Sequence, residues 1–215
     1  MAETAAPPGA GIRTGQSEHR AAFERSLRGF TKAGYDKGRP LPVQAAWFAV
    51  LHLVFAKWWF PARWRPAVLR LFGARIGRRV LIRHGVRVHW PWRLCVGDDV
   101  WIGEGAWLLN LEQITIGSDV CVSQGALLCT GSHQRHSRTF EFDNGPIRLE
   151  PGSWVAARAV VLRGVTVGRG AVVGASAVAH RDIAPGEVVT SEVAGSAVVG
   201  GAVVGGAVAS GGAAA

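Results

Sequence analysis

The chain has 215 residues, 48% of them hydrophobic and 18% charged, with a formal net charge of +9. That length suits one sizeable domain with an appendage. Its three cysteines, Cys95, Cys121 and Cys129, are odd in number and lack metal-ligand spacing, which argues against a disulfide framework or a zinc scaffold and fits a reducing compartment.

Residues 1–40 are rich in Gly, Ala, Pro, Ser and charge, with few large aliphatics. This composition predicts a flexible, basic, loosely attached segment. The first apolar run starts only near residue 42, so no secretory signal pattern is expected. Residues 41–75 read as an apolar, Trp-rich helical segment. Within it, residues 43–60 are interrupted only by Gln44, His52 and Lys57, and Pro61 ends the run. At about 18 residues this run lies at the short edge of a spanning helix. Trp58, Trp59 and Trp64 beside Lys57, Arg63, Arg65 and Arg70 suit a membrane interface. A helix packed on the following domain, peripheral membrane contact and a true span all remain open. Residues 1–75 hold twelve Lys and Arg against four Asp and Glu, while residues 76–215 hold twelve against eleven. The charged face is either simply solvated or meets acidic lipid or a phosphorylated lipid-linked glycan. No nucleic-acid motif accompanies it, so no nucleic-acid partner is expected.

From residue 76 to 185 a six-residue beat takes over. Its leading positions are Ile76, Ile82, Val88; Val96, Ile102, Leu108; Ile116, Val122, Leu128; Leu149, Val155, Val161; and Val167, Val173, Ala179. Small or β-branched residues hold the fifth places, among them Val80, Val86, Val100, Ala106, Val120, Ala126, Ser132, Ser153, Ala159, Val165, Ala171 and Ala177. A helix would repeat near 3.6 and a simple strand at 2, so the period marks a solenoid. Three hexads make one triangular coil, which predicts about five coils. Each leading aliphatic points inward, and burying one is favourable by roughly 1.5–3 kcal/mol. More than a dozen stacked positions can hold such a fold without a helical core. Trp101, Trp107 and Trp154 fall on sixth places, where side chains lie at the outer surface or a subunit boundary.

Where a coil exceeds eighteen residues, the excess follows its third hexad lead. The first excess surrounds His89, Trp90, Pro91 and Trp92, and the second surrounds Asn110, Leu111 and Glu112. The third carries His133 into a long excursion before the beat resumes at Leu149. Stacking brings these corners together. A histidine at the last step of a regular run is the first place to look for chemistry, because its unperturbed pKa near 6.5 suits proton transfer at neutral pH.

The hexads, Thr130-Gly131-Ser132-His133 and Gly164-Val165-Thr166-Val167-Gly168 resemble left-handed β-helix acyltransferases of the hexapeptide-repeat class. Pro91-Trp92, Val100-Trp101-Ile102-Gly103-Glu104-Gly105 and Asn110-Leu111-Glu112 resemble, more narrowly, colanic-acid-type exopolysaccharide acetyltransferases. The resemblance spans roughly residues 65–185. It implies an all-β solenoid, a left-handed parallel β-helix with an N-terminal apolar helix. It implies O-acetyl transfer from acetyl-CoA to a sugar hydroxyl, free or on a lipid-linked glycan, in exopolysaccharide biosynthesis. It further implies a homotrimer, no required metal, and a cytoplasmic enzyme at or near the inner face of the membrane. His133 matches the family's catalytic histidine, and Asn110 falls at an acceptor-binding position. Glu112 is read as orienting the imidazole or binding sugar, and Trp92, with Trp90, as stacking on a sugar face. The coenzyme arm would meet Trp154, Ala156, Ala157 and Ala175, and Arg181 would face a coenzyme phosphate.

Residues 186–215 depart from that family pattern. Thr190-Ser191-Glu192-Val193-Ala194 leads into a low-complexity tail of Gly, Ala and Val on a five-residue beat, expected to be a loose extension. The departure bears on coenzyme affinity, so a scaffold that has lost coenzyme binding is the alternative. A zinc carbonic anhydrase on the same solenoid needs three histidine ligands, and only His133 and His136 are close in sequence.

Overall fold

The computed structural model describes residues 27–31 and 35–191. Of the expected flexible segment over residues 1–40, residues 1–26 and 32–34 lie outside the described residues, as do residues 192–215 of the expected tail over residues 186–215. The chain divides into two compact units, Met1–Tyr35 with His133–Asp143, and Asp36–Ser132 with Asn144–Ala215.

The larger unit is a parallel β-helix. Sheet A stacks Arg75–Ile76, Leu94–Val96, Ile114–Ile116, Ile147–Leu149 and Thr166–Val167. Sheet B stacks Leu81–Ile82, Trp101–Ile102, Cys121–Val122, Trp154–Val155, Val172–Val173 and Val188–Val189. Sheet C stacks Arg87–Val88, Trp107–Leu109, Leu127–Cys129, Val160–Leu162 and Val178–Ala179. The chain visits A, B and C in turn, five times over. Ile183, bridged to Val167, and Val188–Val189 then begin a sixth turn. The repeat therefore runs a little past the five coils and past Pro185.

Register follows the hexads. Ile82 aligns with Ile102 and Ile102 with Val122; Leu108 aligns with Leu128 and Leu128 with Val161. Every leading residue except the partly covered Ile76 is buried. Two fifth places are not fully buried, Val80 in the first coil and Ser132 in the third. Ser132 is only half-buried and opens the long excursion. In the interrupted coils the inward fifth place falls after the insertion instead, at Leu94, Ile114 and Ile147, all buried. A strict count of six cannot see this, because each insertion delays the turn that restores the register.

Corners recur three residues after each lead. Arg79, Asp99 and Asp119 hold the A-to-B corner at φ 53°, 59° and 59°, and Gly152, Gly170 and Gly186 continue that column with positive φ. Left-handed backbone favours Gly and is next best tolerated by Asp and Asn, which accounts for two of the three non-glycine choices. Arg79 pairs with Asp99 at 2.5 Å one coil above.

A helical segment closes the first coil. Helix α1, Leu41–Val50, starts after Pro40 with Pro42 in its first turn, where a missing N–H costs nothing. It passes into a wider turn at Leu51–Phe55, and helix α2 spans Arg65–Leu71. Trp47, Leu51, Phe55 and Leu69 are buried against the solenoid core. Trp47 Nε1 donates to the carbonyls of Val88 (3.0 Å) and His89 (3.1 Å). Arg65 is buried, and it donates to the carbonyls of Phe55, Lys57 and Ile82 at 3.0, 2.8 and 3.2 Å. The segment is therefore packed on one side. Among the described residues no helix is long and apolar enough to cross a membrane.

Candidate active site

The C-to-A corner carries every insertion. In the first coil it holds the turn Pro91–Arg93, where Trp90 and Trp92 stack at 4.8 Å with ring planes 23° apart. Asn110 from the second coil locks this turn. Its Oδ1 accepts the Trp90 N–H at 2.9 Å, and its Nδ2 donates to the carbonyls of Trp90 (2.5 Å) and Arg93 (3.0 Å). Asn110 is wholly buried. The expectation that it touches an acceptor is therefore corrected: its amide is sealed in and spent on backbone, and it acts as a positioning residue.

Thr130 repeats the device one coil higher. Its buried hydroxyl donates to Leu109 O and accepts the Glu112 N–H, both at 2.9 Å. Glu112 is partly exposed, and its carboxylate lies 3.4 Å from Arg93 Nη1. Arg93 also donates to the carbonyls of Leu111 and Asp36. Trp92 donates through Nε1 to Lys37 O at 2.7 Å, so one ring face rests on Trp90 and its polar edge is satisfied. His89 is half-buried beside Trp90, and burial with the nearby Lys37 holds its imidazole pKa below the ordinary value.

The long excursion leaves sheet C at Cys129 and returns to sheet A at Ile147. Its neck is tied within the solenoid unit. Gly145 N–H donates to Thr130 O at 3.0 Å, and Ser132 N–H donates to Asn144 Oδ1 at 3.1 Å. His133 follows Ser132 directly and belongs to the smaller unit. There its ring stacks on Phe140 at 4.1 Å with planes 5° apart. Phe142 stacks at 5.0 Å, and Phe30 meets the ring edge-on at 5.6 Å. Nδ1 lies 2.7 Å from the Phe140 carbonyl oxygen. A carbonyl only accepts, so Nδ1 carries the hydrogen and the neutral ring keeps its lone pair on Nε2. Phe140 reaches this position with φ 57°, a strained conformation for an aromatic residue. Ser137 and Thr139 hydroxyls bond the Glu141 carboxylate and hold its pKa below the usual carboxylate value. Gln134 N–H donates to Glu141 O at 2.9 Å.

A relative in Escherichia coli K12, the colanic acid biosynthesis acetyltransferase WcaF, is 43% identical over 155 residues, which span 70% of this chain and 84% of the relative. The chain belongs to the hexapeptide-repeat acetyltransferases. No protein-family model matches the chain. Two solved structures share the fold of this acetyltransferase. A hexapeptide-repeat acetyltransferase of Vibrio cholerae, solved with acetyl coenzyme A, is 23% identical with a TM-score of 0.60, covering 69% of this chain and 80% of that one. A maltose O-acetyltransferase of Clostridium difficile is 18% identical with a TM-score of 0.58, covering 70% and 82%.

The residues expected to meet a coenzyme divide between two corners of this acetyltransferase. Trp154 is largely exposed on sheet B, and its Nε1 donates to Ser123 Oγ at 2.8 Å. Ala156, Ala157 and Ala175 lie at the B-to-C corner of successive coils. Ala156 is buried, and its N–H donates to Val173 O at 2.8 Å. Ala157 O accepts the Ser176 N–H at 2.9 Å, and Ala175 O accepts Ser191 Oγ at 3.3 Å. The N–H groups of Ala157 and Ala175 bond no other group among the described residues. Arg181 lies on the C-to-A side, where it pairs with Glu187 at 2.7 Å. Its charge is thus already matched by a carboxylate.

The sequence reading missed Phe30, Phe140 and Phe142 around His133 and Asn144 at the neck, and it gave Thr130 only as part of a motif. A weak signal existed: Phe140 and Phe142 alternate inside an otherwise polar loop.

Proposed function

We propose that this acetyltransferase transfers the acetyl group of acetyl-CoA to a sugar hydroxyl, on a free or lipid-linked glycan of cytoplasmic exopolysaccharide biosynthesis, with His133 as general base. The observation that carries the reading is the imidazole's geometry. Nδ1 bonded to a backbone carbonyl leaves Nε2 as a base, and aromatic rings hold the ring plane. Nε2 takes the proton of the acceptor hydroxyl as its oxygen bonds the thioester carbonyl carbon. The carbon–sulfur bond breaks, and the leaving thiolate receives that proton from the imidazolium. Base action of this kind contributes typically 10²–10⁴-fold. The relationship to WcaF supports an exopolysaccharide acceptor.

The stacked N–H groups of Ala157 and Ala175 suit the amide carbonyls of a pantetheine arm, with the Trp154 ring as a flat apolar wall beside them. The Arg181 guanidinium would be shared between Glu187 and a coenzyme phosphate. Glu112, Arg93 and the outer face of Trp92 form the polar and aromatic rim offered to the sugar. The assembly is a homotrimer, in which a second copy covers the exposed faces of sheet B.

The test is thiol release from acetyl-CoA with a panel of sugars and oligosaccharides, alongside calorimetric titration with coenzyme A. Acceptor-dependent release that falls at least about 10²-fold in His133→Ala supports the base. Release unchanged in that variant removes His133 from the chemistry, and absence of coenzyme binding turns the chain into a scaffold.

A further inference from the structure

Residues 37–97 contain twelve of the chain's 24 Lys and Arg and none of its 15 Asp and Glu. The positive charge therefore concentrates in the helical segment and the first coil. Within the solenoid unit, most of the first-coil cations are engaged. Arg78 and Arg79 pair with Asp98 and Asp99, and Arg87 lies 4.0 Å over the Trp107 ring. Lys57, Arg63 and Arg83 form no ion pair among the described residues, and all three are exposed.

These unpaired cations share their surroundings with large exposed aromatics. Trp58, Trp59 and Trp64 are 79%, 54% and 53% exposed, and Phe48 and Leu53 of the preceding helical turns are 64% and 67% exposed. Trp58, Trp59, Phe60, Arg65, Arg83 and His84 line a cavity of about 220 Å³. Arg65 spends its N–H groups on backbone carbonyls, so its charge enters this cavity without a carboxylate. Burial and the like charge of Arg83 both press its pKa down. Next to the lining residue His84 stands one acid, Glu104, whose carboxylate lies 3.1 Å from His84 Nε2.

A solvated charged face has no use for three exposed tryptophans, and a protein interface is depleted of lysine. Tryptophan at a boundary with Lys and Arg beside it is the composition of a lipid–water interface. We propose that the cavity walled by Trp58, Trp59, Arg65 and Arg83 seats the phosphate headgroup of an anionic phospholipid, and that the Phe48–Trp64 surface thereby docks this acetyltransferase on a bilayer. Trp58, Trp59 and Trp64 lie at headgroup level, and Lys57, Arg63 and Arg83 meet the surface charge. Docking of this kind does not depend on the identity of the acceptor.

The experiment is flotation of the full-length protein with vesicles of phosphatidylcholine, with and without phosphatidylglycerol. Partition is expected to be at least tenfold greater onto the anionic vesicles and to fall as salt rises. The double variant Lys57→Gln, Arg83→Gln should lose about 25-fold, at about fivefold per cation near an anionic surface. The double variant Trp58→Ser, Trp59→Ser should lose on the order of tenfold, with thiol release from a soluble acceptor unchanged. Should the tryptophan pair fail to fold, the cation pair and the salt series carry the test. Equal partition onto neutral vesicles, no partition, or partition unaffected by the cation pair would overturn the proposal. So would full competition by glycerol phosphate in solution, which would assign the cavity to a soluble phosphate instead.

Discussion

The solenoid and the excursion that carries His133 are held in different ways. In the coils each inward side chain meets its counterpart one coil away, so the same packing is repeated at every lead from Ile82 to Ala179. A hexad needs only an aliphatic of suitable size, and register does the rest. Among the described residues of the smaller unit no repeat supports the chain. His133 is placed by one hydrogen bond and by three phenylalanines from two segments far apart in sequence, Phe30 and Phe140 with Phe142. Redundant packing thus builds the scaffold, and a few singular contacts set the orientation of the one group proposed for chemistry. Changes in the coils should be paid in stability, and changes around His133 in rate.

The sharpest separation is between two single substitutions. His133→Ala should lower kcat/KM by about 10²–10⁴-fold while the urea midpoint stays in place. Leu128→Ala, wholly buried at a lead, should cost about 2–5 kcal/mol of stability and leave turnover per folded molecule nearly intact. A large loss of stability in the first, or of turnover in the second, breaks the division.

Asn110 tests its boundary, because it is buried scaffold that shapes a candidate substrate rim. Asn110→Ala strands the Trp90 N–H and the Arg93 carbonyl, while the Trp90 carbonyl keeps the Arg93 N–H at 3.0 Å. The cost is about 1–3 kcal/mol for each group left without a partner. Urea unfolding should register it, and KM for the acceptor should rise as the Trp92 corner loosens. An increase in KM with no change in stability would restore Asn110 as a direct contact.

Phe140→Leu keeps the backbone carbonyl and removes the ring stacked on the imidazole. The lost ring contact is worth about 0.5–1.5 kcal/mol, so kcat should fall about two- to tenfold, with the melting temperature little changed. A drop as large as that of His133→Ala would mean that the stack itself fixes the working tautomer.

The smallest effect is at the corners. Asp119 has φ 59°, and Asp119→Ala should cost about 1 kcal/mol while Asp119→Gly is close to neutral. Chemical denaturation of the pair compares them directly. Equal losses would show that the Asp119 side chain, rather than its backbone, is what the corner uses.

Much of the scaffold was legible because its information is local and repeated. The leads are inward wherever the count of six is unbroken, and Trp101 and Trp154 lie outward as their sixth places require. Where an insertion intervenes the count fails, as at Ser132, whose expected place is filled by Ile147. Asn110 shows the same limit at the site. Its place in the chain marks a corner, but whether a corner amide faces solvent or backbone depends on the neighbouring coil, and here it faces Trp90 and Arg93. Likewise the run over residues 43–60 reads as apolar on every side, and only packing against Val88, His89 and the core made Trp47 and Phe55 its inner face and Phe48 and Trp58 its outer one.

By itself the sequence determined the solenoid, its period, and His133 as the histidine that ends the third run, because burial of a repeated aliphatic is decided residue by residue. Tertiary structure alone decided the direction of the imidazole, the burial of Asn110, the pairing of Arg181 and the cluster of unpaired cations among exposed tryptophans. Each of those depends on groups that meet across coils or across loops, and hydrogen bonds and charges act over distances that chain order does not encode.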